Sequence, residues 1–358
     1  MRVRVTVPAV VACLALMTAG CSAAGSAEPG AAATPAPPVT SATPSPSATP
    51  TSTPTPTPTP MPEPPHPVSM EALAQASYDG GDLRVGEVLD RNNAYTRYFV
   101  TYRSSGLRVS GVMNVPAGDG PFPALVLNHG YIDPAVYTNG RGLRREQDYL
   151  ARAGFVVLHT DYRNHAQSDD DSGNDLRLRL GYAEDAINTV LALRGSGLPY
   201  VDGGRIGMLG RSMGGGVTYQ ALVAQPGLVD AAVVYAPVSS DAVDNFDRWT
   251  RGQAERRALA DEVVAAYGAP EDAPEFWREV SPRTYFDRVT EPVLIHHGTA
   301  DESCPIAWSE ETYEAMVAAG VDAELLVYDG EPHAFEAAWP LSMERTVAFF
   351  REHLVARG

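Results

Sequence analysis

A chain of 358 residues with 44 acidic and 27 basic side chains, formally −17 at neutral pH, is a poor partner for nucleic acid. All its basic residues are arginine, and hydrophobic residues make up 44% of the chain, enough for one large core. Its 3 cysteines are Cys13, Cys21 and Cys304, the first two ahead of any domain-like pattern, which argues against an internal disulfide or a cysteine metal cluster.

Residues 1–20 read as a signal peptide: Arg2 and Arg4 form a positive start, Val5 to Met17 an apolar stretch too short to span a bilayer, and Thr18-Ala19-Gly20 a small-residue cleavage context. Cys21 directly after Ala19-Gly20 resembles a lipobox cysteine, which is lipidated and becomes the first mature residue; a plain secretory cut is the alternative, since Thr18 stands where an aliphatic residue is usual. This reading gives an exported protein, held at the outer face of the cell membrane through Cys21 or secreted. Residues 21–67 are dominated by Ala, Pro, Ser, Thr and Gly and cannot bury enough apolar surface to offset chain ordering, so a disordered, semi-rigid tether is expected there. Residues 68–358 are then the folded domain.

Within it, Thr96 to Tyr102 and Leu107 to Val115 read as an antiparallel opening pair. Ala124 to Asn128, Phe155 to Thr160, Arg205 to Leu209, Ala231 to Tyr235, Val293 to His297 and Glu324 to Tyr328 are short, continuously apolar runs, the pattern of buried parallel strands. They alternate with helical spacing over Arg144 to Ala153, Asp175 to Arg194, Met213 to Ala224, Ile306 to Ala319 and Ser342 to Ala356. The class is α/β, a doubly wound, mostly parallel sheet. The charged stretch 239–285, with Trp249, Phe276, Trp277 and a helical pattern over Ala254 to Tyr267, breaks the alternation and is expected to form a small helical lid over the carboxyl ends of the strands.

Gly210-Arg211-Ser212-Met213-Gly214 is a Gly-x-Ser-x-Gly pentapeptide between a strand and a helix, the context that gives the pattern meaning. A serine hydroxyl is a weak nucleophile and needs exposure on a tight turn, a base in reach and the positive end of a helix. Side chains in place of Gly210 or Gly214 would clash in such a turn. After the strand ending at His297 comes Asp301, with Glu302 as a rival acid next door, and after the strand ending at Tyr328 comes His333. Serine, acid and base in that chain order make Ser212 the nucleophile, His333 the general base and Asp301 the carboxylate that orients it. The Asn128-His129-Gly130-Tyr131 loop follows another strand, so the backbone N–H groups of Tyr131 and Met213 are the expected oxyanion donors. His165 and the remaining histidines, His296 and His297 among them, receive structural readings, and Cys304 is read as packing rather than catalytic. No metal and no cofactor are called for.

From about Phe99 to Leu354 the chain resembles the α/β-hydrolase superfamily, and more narrowly the catalytic domain of prolyl oligopeptidase-like (S9) enzymes and their dienelactone-hydrolase-like relatives. The residues carrying the resemblance are Gly210 to Gly215, Ser281-Pro282 with Tyr285, His297-Gly298 with Asp301 and Pro305, and Gly330, His333 and Phe335. The resemblance implies the same Ser212, Asp301 and His333 triad. Oligopeptidases of that family carry an N-terminal β-propeller that restricts access to short peptides, and the sequence ahead of the first strand offers none. The leading expectation is therefore a serine hydrolase of carboxylic esters. Cleavage of short peptides or amides is the alternative, and a non-catalytic surface lipoprotein that only binds is a second one.

Overall fold

The computed structural model describes residues 64–355, so the signal peptide, nearly all of the tether, Cys21 and the chain end at 356–358 lie outside the described residues. A short helix α1 (Met70–Gln75), capped by the Ser69 hydroxyl, leads into three strands, β1 (Gly81–Arg91), β2 (Tyr95–Ser104) and β3 (Leu107–Pro116). These are followed by β4 (Phe122–Asn128), α2 (Arg144–Arg152), β5 (Val156–Thr160), α3 (Leu180–Arg194), β6 (Val201–Arg211), α4 (Met213–Ala224) and β7 (Ala231–Tyr235). Three helices, α5 (Ala242–Phe246), α6 (Arg257–Tyr267) and α7 (Pro274–Glu279), separate β7 from β8 (Val293–Gly298); α8 (Ile306–Ala318), β9 (Ala323–Tyr328) and α9 (Trp339–Leu354) close the fold.

The nine strands of the described residues form one sheet in the order β1-β2-β3-β5-β4-β6-β7-β8-β9. The first three are antiparallel to their neighbours, and everything from β5 to β9 is parallel. The central parallel strands β5, β7 and β8 are buried on both faces, which is why they appear in the sequence as apolar runs. On one face α2 and α9 pack a core around Leu150, Phe155, Phe350 and Leu354. On the other, α1, α3 and α4 pack a larger core that continues into the helices between β7 and β8 through Phe246, Val263 and Trp277. The chain thus has the α/β-hydrolase fold.

Two elements depart from the sequence reading. Strand β1 was not foreseen: it is an edge strand, exposed along most of its length and paired to β2 through register shifts, so it carries no clean apolar alternation. The helical pattern over Asp175 to Arg194 begins as helix only at Leu180, because Leu178 and Arg179 adopt left-handed backbone (φ 50° and 63°). The preceding turn is held by the buried Arg163 guanidinium, which bonds Asp171, Glu184 and Asp185 at 2.9–3.1 Å. Gly181 is needed there, since a Cβ would meet that guanidinium at 2.6 Å.

Candidate active site

The site gathers at the carboxyl ends of β4, β6, β8 and β9, where parallel pairing brings loops that are distant in sequence side by side. Asn128, last residue of β4, is the register partner of Gly210, so the loop Asn128 to Tyr131 starts beside the turn that carries Ser212. Ser212 itself sits at φ 55°, ψ −122°, a strained conformation for any residue other than glycine. It is held there from several sides. Its N–H donates to the Tyr235 carbonyl at 3.0 Å, and its own carbonyl accepts from Gly215 and Val238 at 2.9 and 3.1 Å.

The glycines follow from sterics: a Cβ on Gly210 would lie 2.1 Å from the Gly214 carbonyl, and one on Gly214 would lie 2.0 Å from the Asn128 carbonyl. Arg211 anchors the same turn to α2, donating to the buried Glu146 carboxylate at 2.5 Å; Glu146 also accepts from the Trp339 indole at 2.9 Å.

The loops after β8 and β9 are laced together by main chain. Ala300 N–H donates to Glu331 at 3.1 Å, Thr299 N–H donates to Tyr328 at 2.9 Å, and a Cβ on Gly298 would fall 2.1 Å from the Glu331 carbonyl. This crossing sets Asp301 against His333: imidazole Nδ1 lies 2.8 Å from Oδ2 and 3.0 Å from Oδ1. With its proton donated to the carboxylate, Nδ1 leaves Nε2 as the unprotonated ring nitrogen. Glu302, the rival acid, accepts instead from the main-chain N–H of His333 at 3.2 Å, one residue too far along the loop to face the ring.

Four donors converge on the Asp301 carboxylate: His333, the N–H groups of Ser303 and Cys304 at 2.8 Å, and His297, whose Nε2 is 3.1 Å from Oδ2. Burial alone raises the pKa of Asp301, but the bonds from His297 and His333 outweigh it and hold the carboxyl well below its usual range. The tautomer of His297 follows from its partners. Nε2 meets two acceptors, Asp301 and the Cys304 carbonyl, and so carries the hydrogen; Nδ1, 2.6 Å from the Ser309 hydroxyl, accepts. Sequence reading had passed His297 over as a strand-end histidine. Its spacing of four residues from Asp301 was the available signal, invisible in function because two residues on a strand end and a loop meet only after the turn closes.

Ser212, Met213, Tyr131 and His333 all line a cavity of about 530 Å³ between the strand ends and helices α5 to α7. Its apolar lining includes Val217, Phe246, Leu259, Val263, Trp277 and Val280. In this structure the Ser212 hydroxyl makes no hydrogen bond to His333; near it the Cys304 thiol is wholly buried. Burial pushes that thiol up to about 12, and the nearby Asp301 charge adds to the effect, so Cys304 stays protonated and unreactive. Gly130 lets the neighbouring loop approach, since its hypothetical Cβ is 3.1 Å from that of Ser212. Met213 opens α4 and its N–H has no intrahelical partner; the Tyr131 N–H makes no hydrogen bond among the described residues. Behind this loop the buried His129 touches the Gly130 carbonyl with Nδ1 at 2.6 Å and the Asp161 carbonyl with Nε2 at 3.2 Å. Burial lowers its pKa to about 4, so the ring is neutral and supplies one N–H to these carbonyls.

Comparison with known proteins gives this geometry a lineage. The prolyl oligopeptidase family, Peptidase_S9, matches over residues 141–357. Dipeptidyl peptidase 4 of Felis catus is 29% identical over 188 residues, covering 52% of this chain but only 23% of the cat protein. An uncharacterized peptidase of Bacillus subtilis, YtmA, is 26% identical over 242 residues, covering 66% of this chain and 86% of its own. Among solved structures, the acetyl xylan esterase from Paenibacillus sp. R4 superposes with a TM-score of 0.60 at 18% identity, over 80% of this chain and 92% of the esterase, a likeness of fold. The stretch that the family shares takes in the serine turn, both partner loops and the helices between β7 and β8, and on that ground the chain belongs to the prolyl oligopeptidase family of serine hydrolases.

Proposed function

We propose that this chain is an exported hydrolase that cleaves carboxylic esters through an acyl-enzyme, with Ser212 as nucleophile, His333 as general base and Asp301 as the acid that orients it. The observation carrying this reading is the 2.8 Å contact between His333 Nδ1 and a carboxylate whose side chain is 1% exposed, in a cavity that Ser212 shares. A buried anion at that distance fixes the tautomer and stabilises the imidazolium formed when the serine proton is taken.

In the proposed cycle the Ser212 hydroxyl turns to His333, its proton passes to Nε2, and Oγ attacks the ester carbonyl. The N–H groups of Tyr131 and Met213 hold the oxyanion, each contributing about two to three powers of ten in rate. His333 then gives the proton to the departing alcohol, and water, deprotonated by the same nitrogen, releases the acid.

Ester cleavage is supported by the likeness of the described residues to nearly the whole of an acetyl xylan esterase. Cleavage of short peptides or amides is the second reading, favoured by the family and by the dipeptidyl peptidase among its relatives. Short p-nitrophenyl esters assayed beside aminoacyl and prolyl amides separate the two: ester turnover is expected to dominate, and amide turnover with little ester turnover reverses the ranking. A fluorophosphonate probe is expected to label the protein and to lose that label entirely in Ser212→Ala. An unlabelled parent chain would sink the hydrolase mechanism.

Export rests on the sequence of residues 1–21, and we propose that Cys21 is lipidated there. Cys21→Ser is expected to move the protein from the detergent-extracted membrane fraction to the medium. A parent chain already found in the medium, with no lipid mass on its first residue, contradicts this.

A further inference from the structure

Two arginines stand over the loop that carries the candidate oxyanion donor. The guanidinium carbons of Arg179, at the start of α3, and Arg256, just ahead of α6, lie 4.8 and 4.9 Å from the centre of the Tyr131 ring, and so under about 10 Å from each other. Both line the cavity with Ser212, Met213 and His333. Arg179 commits its Nε to Asp175 at 2.7 Å and reaches Met213 Sδ with Nη1 at 3.8 Å, so it touches the side chains of both candidate oxyanion donors.

Arg256 is less encumbered. Its guanidinium makes no hydrogen bond and no ion pair among the described residues, and the exposed Glu255 beside it in the chain pairs with nothing there either. Of the two carboxylates at this end of the cavity, Asp175 pairs with Arg179 and Glu255 pairs with no arginine among the described residues. An aromatic face compensates a cation weakly, whereas a carboxylate takes two guanidinium forks at once with charge-assisted bonds.

We propose that Arg256 and Arg179 form a subsite for a carboxylate on the substrate, placed within reach of the scissile carbonyl. The inference rests on the hydrolase reading for the position of that carbonyl, but not for the binding itself. The substrate class it defines is anionic: an ester or amide bearing a free carboxylate on the acyl or the leaving side. A wholly neutral ester, by contrast, leaves both forks to water.

The test uses two matched pairs. 4-Nitrophenyl hydrogen adipate against 4-nitrophenyl hexanoate carries the carboxylate on the acyl side, and 4-acetoxybenzoate against 4-acetoxybenzamide carries it on the leaving side. Binding is measured by calorimetry on the full chain with Ser212→Ala, and kcat/KM on the parent, so that the subsite is judged whether or not turnover is seen. In at least one pair the carboxylate compound is expected to bind about tenfold more tightly than its neutral partner, the size of a charge-assisted contact, and added salt is expected to erode the difference.

Adding Arg256→Gln should bring the ratio to within about twofold of unity, while Arg256→Lys, which keeps the charge and loses the fork, retains part of it. A loss of folding or of lid packing lowers both members of a pair and leaves the ratio alone. Equal affinity within both pairs, or a ratio that survives both Arg256→Gln and Arg179→Gln, overturns the subsite. Absence of fluorophosphonate labelling in the parent overturns the hydrolase reading instead.

Discussion

Asp301→Asn is expected to lower kcat by about four powers of ten with KM little changed. The amide is nearly isosteric, so the loop after β8 keeps its shape, but it presents an N–H where the imidazole needs an acceptor and it carries no charge to balance an imidazolium. Glu302→Gln is the informative control. Its contact is with the main-chain N–H of His333, which a glutamine oxygen accepts equally, and kcat is expected to stay within about a factor of ten.

His297→Phe, which keeps the ring and loses its donor, belongs to the same series, His297 being a positioning residue. It removes one of four donors to the Asp301 carboxylate, and a fall of about 10- to 100-fold in kcat without a change in KM is expected, the range for one lost bond to a charged group. Steady-state kinetics on the three variants decides the assignment: a Glu302→Gln variant more damaged than Asp301→Asn would exchange the two acids.

Acid is expected to destabilise this protein early, between pH 6.5 and 5. His129, His159 and His296 are wholly buried, and burial lowers their pKa values below 6.5, to about 4 for His129, about 3 for His296 and well below the ordinary value for His159. Below pH 6.5 the unfolded chain takes up a proton at each of the three positions while the folded protein does not. Stability is therefore full above that pH and is lost as pH falls toward the folded values. Each pH unit costs about 1.4 kcal/mol per histidine, or about 6 kcal/mol for the three at pH 5, comparable with the whole stability of an ordinary domain, about 5–15 kcal/mol. Asp301 does not enter this window: its carboxyl is held low, and its contribution is lost only as pH falls below the ordinary carboxylate range.

His159 offers the clean test, because neither of its ring nitrogens has a hydrogen-bond partner. His159→Phe removes a protonation site without breaking a bond. Urea midpoints measured from pH 7.5 to 5 are expected to fall steeply for the parent and to lose about one third of that slope in the variant. Midpoints that hold level across the range would contradict the argument.

The sequence by itself determined the parts of this protein that are written locally. Continuous apolar runs separated by helical spacing specify a parallel sheet, because a strand buried on both faces has no polar side to show. The glycines around Ser212 are legible for a related reason: the 2.1 Å approach at Gly210 is within the strand-to-helix turn itself, and the 2.0 Å approach at Gly214 comes from Asn128 at the end of the neighbouring strand, whose pairing the pattern already implies. Even the choice of Asp301 over Glu302 turned on one step along a loop of known origin.

Only the tertiary structure decided what depends on approach between segments that share no local pattern. The second imidazole on Asp301 comes from the end of a strand, the forks over Tyr131 come from the starts of two helices that are not neighbours in sequence, and the early end of the 175–194 helical pattern is imposed by an arginine buried from β5's loop. Period and propensity record the surroundings that a residue meets through its own element. Where a side chain earns its role by reaching across a cavity, nothing within its own stretch of sequence marks it, and the packing of the whole sheet chooses its partner.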